Sequence, residues 1–192
     1  MSDIIKFDTE ELAKVNPVSV PTQIKIFDLV PETHPILKEA LLEFDFNNPP
    51  VNPIEFASSL VETCKLNKGI GLSANQCGYP HRVFVMGADN DYVAFFNPKI
   101  VVASEQETHM VEGCLSFPLL GLKITRPGVI HVEYCDYNGT SRTATFDGLS
   151  ARCFQHEYDH MNGVTFVERA KPLALEMGKN KRKKLAKGIV IK

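Results

Sequence analysis

The chain has 192 residues, a formal net charge of −2, and 44% hydrophobic and 23% charged residues. That length favours one domain with its own core, and the near-neutral charge argues against nucleic acid as the main ligand, sequence-specific or otherwise. No apolar run reaches membrane-spanning length. The segment Met1–Asp8 lacks the basic-then-apolar order of a secretory signal, and the five cysteines show no disulfide-scaffold spacing, so a reducing cytoplasm is the expected setting.

Residues 1–34 carry little periodicity and are broken by Pro17, Pro21 and Pro31. They read as an extended arm with one short strand over Gln23–Phe27, and the first thirty or so residues as an N-terminal extension. A first helix is expected over Ile36–Phe44, stopped by Asn47-Asn48-Pro49-Pro50. A second fits 54–66, where Ile54, Ala57, Leu60, Val61 and Cys64 recur at helical spacing behind Pro53.

The stretch Gly69-Ile70-Gly71-Leu72-Ser73-Ala74-Asn75-Gln76 lets the backbone approach something closely. It lacks the third glycine of a dinucleotide loop and follows a helix rather than a strand, so a dinucleotide site is rejected. Gln76 taken alone reads as a solvated amide at a loop end.

Arg82–Met86 and Tyr92–Phe96 read as strands around a turn, and Lys99–Val102 as a further segment after Asn97-Pro98. Val129–Tyr137 and Thr140–Phe146 read as a hairpin closed by Asn138-Gly139. A helix should begin near Asp147–Ser150, carry Leu149, Cys153, His156 and His160 on one face, and stop at Gly163. A last helix is expected over Leu173–Lys187, where Lys179, Lys181, Arg182, Lys183, Lys184 and Lys187 form a basic tail.

The chemistry concentrates in Gln155-His156-Glu157-Tyr158-Asp159-His160. On a helix, His156 and His160 at i and i+4 have Cβ atoms ~5–6 Å apart, close enough to share one divalent cation. Glu157 then stands beside the cation, where a carboxylate takes a proton from water. A catalytic site of this kind needs a third protein ligand. Cys114, in Glu112-Gly113-Cys114-Leu115-Ser116, completes a Cys-His-His set with one position left for water.

Three motifs, Gly69–Gln76, Glu112–Ser116 and Gln155–His160, together resemble the three signature motifs of the peptide deformylases, in the family's order. The resemblance spans about residues 30–170 and implies an α+β fold, with antiparallel β-sheets packed around a central helix that carries the HExxH motif. It implies a hydrolase that removes the formyl group from the N-terminal formylmethionine of nascent peptides. Cys114, His156 and His160 would hold one divalent ion, with Fe2+ as the physiological one and Zn2+, Ni2+ or Co2+ able to substitute. Glu157 would be the general acid/base, and Gln76 with the Leu115 N–H would hold the developing oxyanion. Ile70, Gly71 and Gly113 would line the groove for the substrate backbone, and Leu149 and Cys153 the pocket for the methionine side chain. Glu112, Arg126 and Asp159 match supporting charged positions.

The chain departs from that pattern at Ser73, where the family usually has alanine; a buried hydroxyl there needs a partner. Arg152 stands where many relatives direct an apolar residue into the pocket, and Leu119–Leu122 lacks a basic residue that some relatives use on substrate. The basic tail is a candidate contact with the ribosome. Two rival readings stay open. A zinc endopeptidase would draw its third ligand from downstream, where only Glu168 and Glu176 are available. A non-enzymatic binding module would use a closed structural metal site.

Overall fold

The computed structural model describes residues 24–89 and 91–190. Among the described residues, seven strands form two antiparallel sheets. A five-stranded sheet has the order β1-β2-β3-β6-β7, built from β1 (Gly71–Ser73), β2 (Val83–Ala88), β3 (Asp91–Ala103), β6 (Val129–Cys135) and β7 (Ser141–Asp147). A second sheet pairs β4 (Glu107–Cys114) with β5 (Phe117–Pro127). The helices are α1 (Pro53–Leu66), α2 (Gly148–Met161), α3 (Phe166–Arg169) and α4 (Pro172–Val190). This is the expected α+β class, with the HExxH segment on α2 between the two sheets.

Period-two alternation splits β2 between two cores. Val83 and Val85 face α1, in a cluster with Phe56, Leu60 and Cys64. Phe84 and Met86 face α2, in a cluster with Phe95, Ile130 and Phe154. Both faces of β2 are therefore dry, which is why Arg82–Met86 reads as a nearly continuous apolar run. Phe154 anchors α2 to the sheet edge-on, its ring 5.0 Å from Phe84 and 5.3 Å from Phe95. The opposite side of α2 turns His156 and Arg152 toward β4 and β5. A third cluster, with Leu122, Ile124 and Phe166, closes that side.

Several expectations change. The strand over Gln23–Phe27 does not form among the described residues 24–27, and Gln23, with most of the N-terminal extension, lies outside them. The arm docks on α1 instead: Lys25 N–H donates to Ser59 Oγ and Phe27 N–H to Thr63 Oγ1, each at 3.0 Å. The helix over Ile36–Phe44 shrinks to a 3-10 turn, Pro35–Lys38. Its remainder runs extended because its backbone finds better partners: Leu41 N–H donates to Met161 O and Leu42 N–H to Pro80 O. The two segments after Tyr92 are one strand with a bulge at Asn97, whose φ of 50° asparagine tolerates. Its side chain braces the Phe44 backbone from both sides.

Strands β4 and β5 were not expected. The signal was present in Leu120, Leu122, Ile124 and Arg126, which alternate as the buried face of β5. The second helix, the Asn138-Gly139 hairpin and the basic helix form as expected. Gly163 at φ 69° follows α2, and a Cβ there would sit 2.6 Å from Lys38 O. No helix of the described residues is long and apolar enough to cross a membrane.

Candidate metal centre and active site

Two elements meet at one point. The bulged end of β4 brings Cys114 against the face of α2 that carries both histidines. The thiol and the two imidazoles place one ligand atom each within 4.8 Å of the others. Cys114 Sγ lies 3.4 Å from His160 Nε2. The two imidazole rings are 5.3 Å apart, as one turn of helix dictates.

The histidines are aimed from behind. Glu112 Oε2 accepts from His156 Nδ1 at 3.0 Å, which turns Nε2 toward the thiol. Glu112 is itself held by Arg126, through Nε at 2.7 Å and Nη2 at 2.9 Å, and by Arg152 Nη1 at 2.9 Å. Arg126 also donates to Asp159 Oδ2 at 2.7 Å, and Arg169 clasps the same carboxylate. Arg152 borders the cleft, and its guanidinium is engaged with Glu112, Ile124 O and Thr108. Period two on β4 and β5 does not reveal this cluster; only pairing of the strands against α2 assembles it.

Burial alone would lower the His156 pKa, but the hydrogen bonds it donates to Cys114 and Glu112 outweigh it and lift the group to about 10. Burial, reinforced by the His156 charge, holds His160 well below its ordinary value. A half-buried thiol with two buried imidazoles, one backed by a carboxylate, is a donor set suited to a borderline divalent ion. The centre therefore fits the ion that the motifs imply.

Glu157 is 4% exposed and stands beside this centre. Burial raises its carboxyl above the ordinary value, with His156 and Ser73 pulling the other way. Ser73 Oγ donates to Glu157 Oε2 at 2.5 Å, so the hydroxyl that needed a partner has one. Gln76 is not the solvated amide its loop position suggests: it is 1% exposed, on a 3-10 turn. Its Oε1 accepts from Ser73 N–H at 2.9 Å, and its Nε2 donates to Ser116 Oγ at 3.1 Å and faces Cys114 Sγ at 3.3 Å.

A cleft of about 670 Å³ opens onto the centre. Ile70, Gly71, Gly113, Leu115, Leu149 and Cys153 all border it. Gly71 is needed there, because a Cβ would lie 2.5 Å from Glu157 Oε1 and 2.7 Å from Cys153 Sγ. Gly113 is not under that constraint, since a Cβ would meet only Leu120 O at 3.7 Å. Every residue expected in the site is thus at the centre or on its cleft. Ser73 and Ser116 join them. The downstream ligand of an endopeptidase does not: Glu168 pairs with Lys38 at 2.7 Å and Glu176 is exposed. All five cysteines are free thiols.

The Polypeptide deformylase family model matches residues 26–176. A peptide deformylase of Mesorhizobium japonicum is 35% identical over 169 residues, 85% of this chain and 94% of that one. One of Treponema pallidum is 40% identical over 114 residues, 59% of this chain and 70% of that one. The crystal structure of a peptide deformylase from Synechococcus elongatus in complex with actinonin has a TM-score of 0.76 at 31% identity, covering 82% of this chain and 88% of that chain.

Proposed function

The chain belongs to the polypeptide deformylase family, metal-dependent hydrolases that remove the formyl group from new polypeptides, and from that premise we propose how its own residues divide the work. Cys114, His156 and His160 hold the ion. The observation that carries this reading is their convergence within 4.8 Å beside a buried glutamate at the floor of a cleft. When bound, a divalent ion would supply Lewis acidity there and lower the pKa of water. Glu157 takes a proton from the attacking water as its oxygen bonds to the formyl carbon, and passes that proton to the departing amine nitrogen. Gln76 Nε2 and the Leu115 N–H donate to the formyl oxygen as negative charge grows on it, each donor contributing ~10²–10³ in rate. Ile70, Gly71 and Gly113 flank the peptide backbone, and Leu149 and Cys153 wall the methionine side chain.

The thiolate makes the ion a weaker Lewis acid than three neutral imidazoles would, which supports Fe2+ as the native ion, with Zn2+, Ni2+ or Co2+ as substitutes. We further propose that residues 1–192 act as one catalytic domain, with an extension over about 1–30 and a basic tail over about 172–192. The setting is the cytoplasm. The exposed lysines of α4 support contact with the ribosome, where formylated chains emerge; Arg182 is engaged with Glu32 at 2.8 Å.

The test is Glu157→Gln in anaerobically prepared protein. Metal content and fold should match the parent, while formate release from formyl-Met-Ala-Ser falls at least ~10³-fold. An undiminished rate removes Glu157 from the acid/base role.

A further inference from the structure

Ser73 is where this chain departs from the usual family alanine, and the structure shows what the extra oxygen touches. Ser73 is fully buried, and its hydroxyl donates to Glu157 Oε2 at 2.5 Å. The other carboxylate oxygen, Oε1, lies against Gly71, at the spot where a Cβ would leave only 2.5 Å. One oxygen is therefore tied and the other is seated against backbone, which leaves the carboxylate a single orientation. The same residue also acts through its main chain. Ser73 N–H donates to Gln76 Oε1 at 2.9 Å, and this directs Gln76 Nε2 toward Cys114 and Ser116.

We propose that Ser73 is a positioning residue for deformylation: its hydroxyl clamps Glu157 Oε2 so that Oε1 alone carries the proton from water to the leaving nitrogen. This rests on the assignment of Glu157 as acid/base. Ser73 keeps its own proton throughout. The single proton that Oε1 takes from water, as the water oxygen bonds to the formyl carbon, is the one it delivers to the amine; the formyl carbon–nitrogen bond breaks as that transfer completes, leaving formate and a free amine. An alanine at this position would leave the carboxylate free to turn about its terminal bond. Fewer bound complexes would then present Oε1 in reacting geometry. Substrate binding, set by the cleft walls, would not change.

The experiment pairs kinetics with stability. Ser73→Ala should lower kcat about tenfold with KM within about twofold of the parent and metal content unchanged. In metal-free protein, Ser73→Ala should lower the thermal midpoint by about 2–4 °C. In a Glu157→Ala background, where the hydroxyl keeps only its 3.5 Å contact with the residue-157 carbonyl, the same change should lower it by less than half as much. Ser73→Ala with the parent kcat overturns the proposal, and so does an equal thermal loss in both backgrounds. Neither result touches the deformylase reading, which fails only if the parent enzyme releases no formate.

Discussion

Replacing Gly71 by alanine puts one methyl group where the structure has no room for it. The added Cβ would stand 2.5 Å from Glu157 Oε1, where ordinary contact begins at 3.4 Å. The carboxylate must then retreat by about 0.9 Å, and Cys153 Sγ, at 2.7 Å, blocks one way out. Ser73 holds the other oxygen, and the group is 4% exposed, so it cannot swing into solvent. A displacement near 1 Å at a reacting group costs ~10² in rate, or ~2.7 kcal/mol of barrier. Overpacking adds ~1–3 kcal/mol of destabilisation, which a protein of this size tolerates. The assay is formate release from a formyl-Met peptide, with circular dichroism and metal content as checks on folding. Gly188→Ala, where nothing lies within 4 Å of the added carbon, is the control. A Gly71→Ala enzyme with parental kcat/KM would refute the reasoning, because it would show that the carboxylate can step aside at no catalytic cost.

Glu112→Gln should lower the melting midpoint of the metal-free protein by about 6 °C or more, since it leaves buried Arg126 and Arg152 undercompensated at ~3–5 kcal/mol. It should also weaken metal binding ~10–100-fold. The carboxylate has an acid signature as well. Burial alone would raise its pKa, but Arg126 and His156 outweigh burial and hold it well below the usual range. A depressed folded-state pKa adds stability that is present above the unfolded value of about 4.3 and is lost as pH falls through the folded value. The parent midpoint should therefore drop below about pH 4, and the Gln variant should lack that component. Cys114→Ser should surrender its metal to a chelator that leaves the parent loaded; a full equivalent retained would contradict the ligand assignment. Truncation after Met177 should abolish co-sedimentation with ribosomes, and unchanged co-sedimentation would dismiss the tail as a contact.

Local chemistry was legible in the residues themselves. His156 and His160 share a face because a helix repeats every 3.6 residues, and Glu157 falls beside them for the same reason. The hairpin at Asn138-Gly139 and the stop at Gly163 follow from backbone freedom at glycine, with φ of 78° and 69°. The first helix was misjudged because Ile36–Phe44 has helical composition, while its amides are claimed by Met161 and Pro80, distant in sequence. Strand β4 carries only one buried residue and so gives little local pattern, and the pairing of β4 with the alternating β5 depends on a partner that pattern does not name.

What the sequence by itself determined was the set of candidate reacting groups: one thiol, two imidazoles, one carboxylate and one amide. What only the tertiary structure decided was their surroundings. Arg152 is engaged with Glu112, Gln76 is buried rather than solvated, and Ser73 grips the carboxylate of Glu157. The physical reason is range. Helical and strand periodicities act over a few residues, whereas these contacts join positions 40 and 84 residues apart. Such pairs form only when the end of β4, the turn after β1 and the buried face of α2 are packed together.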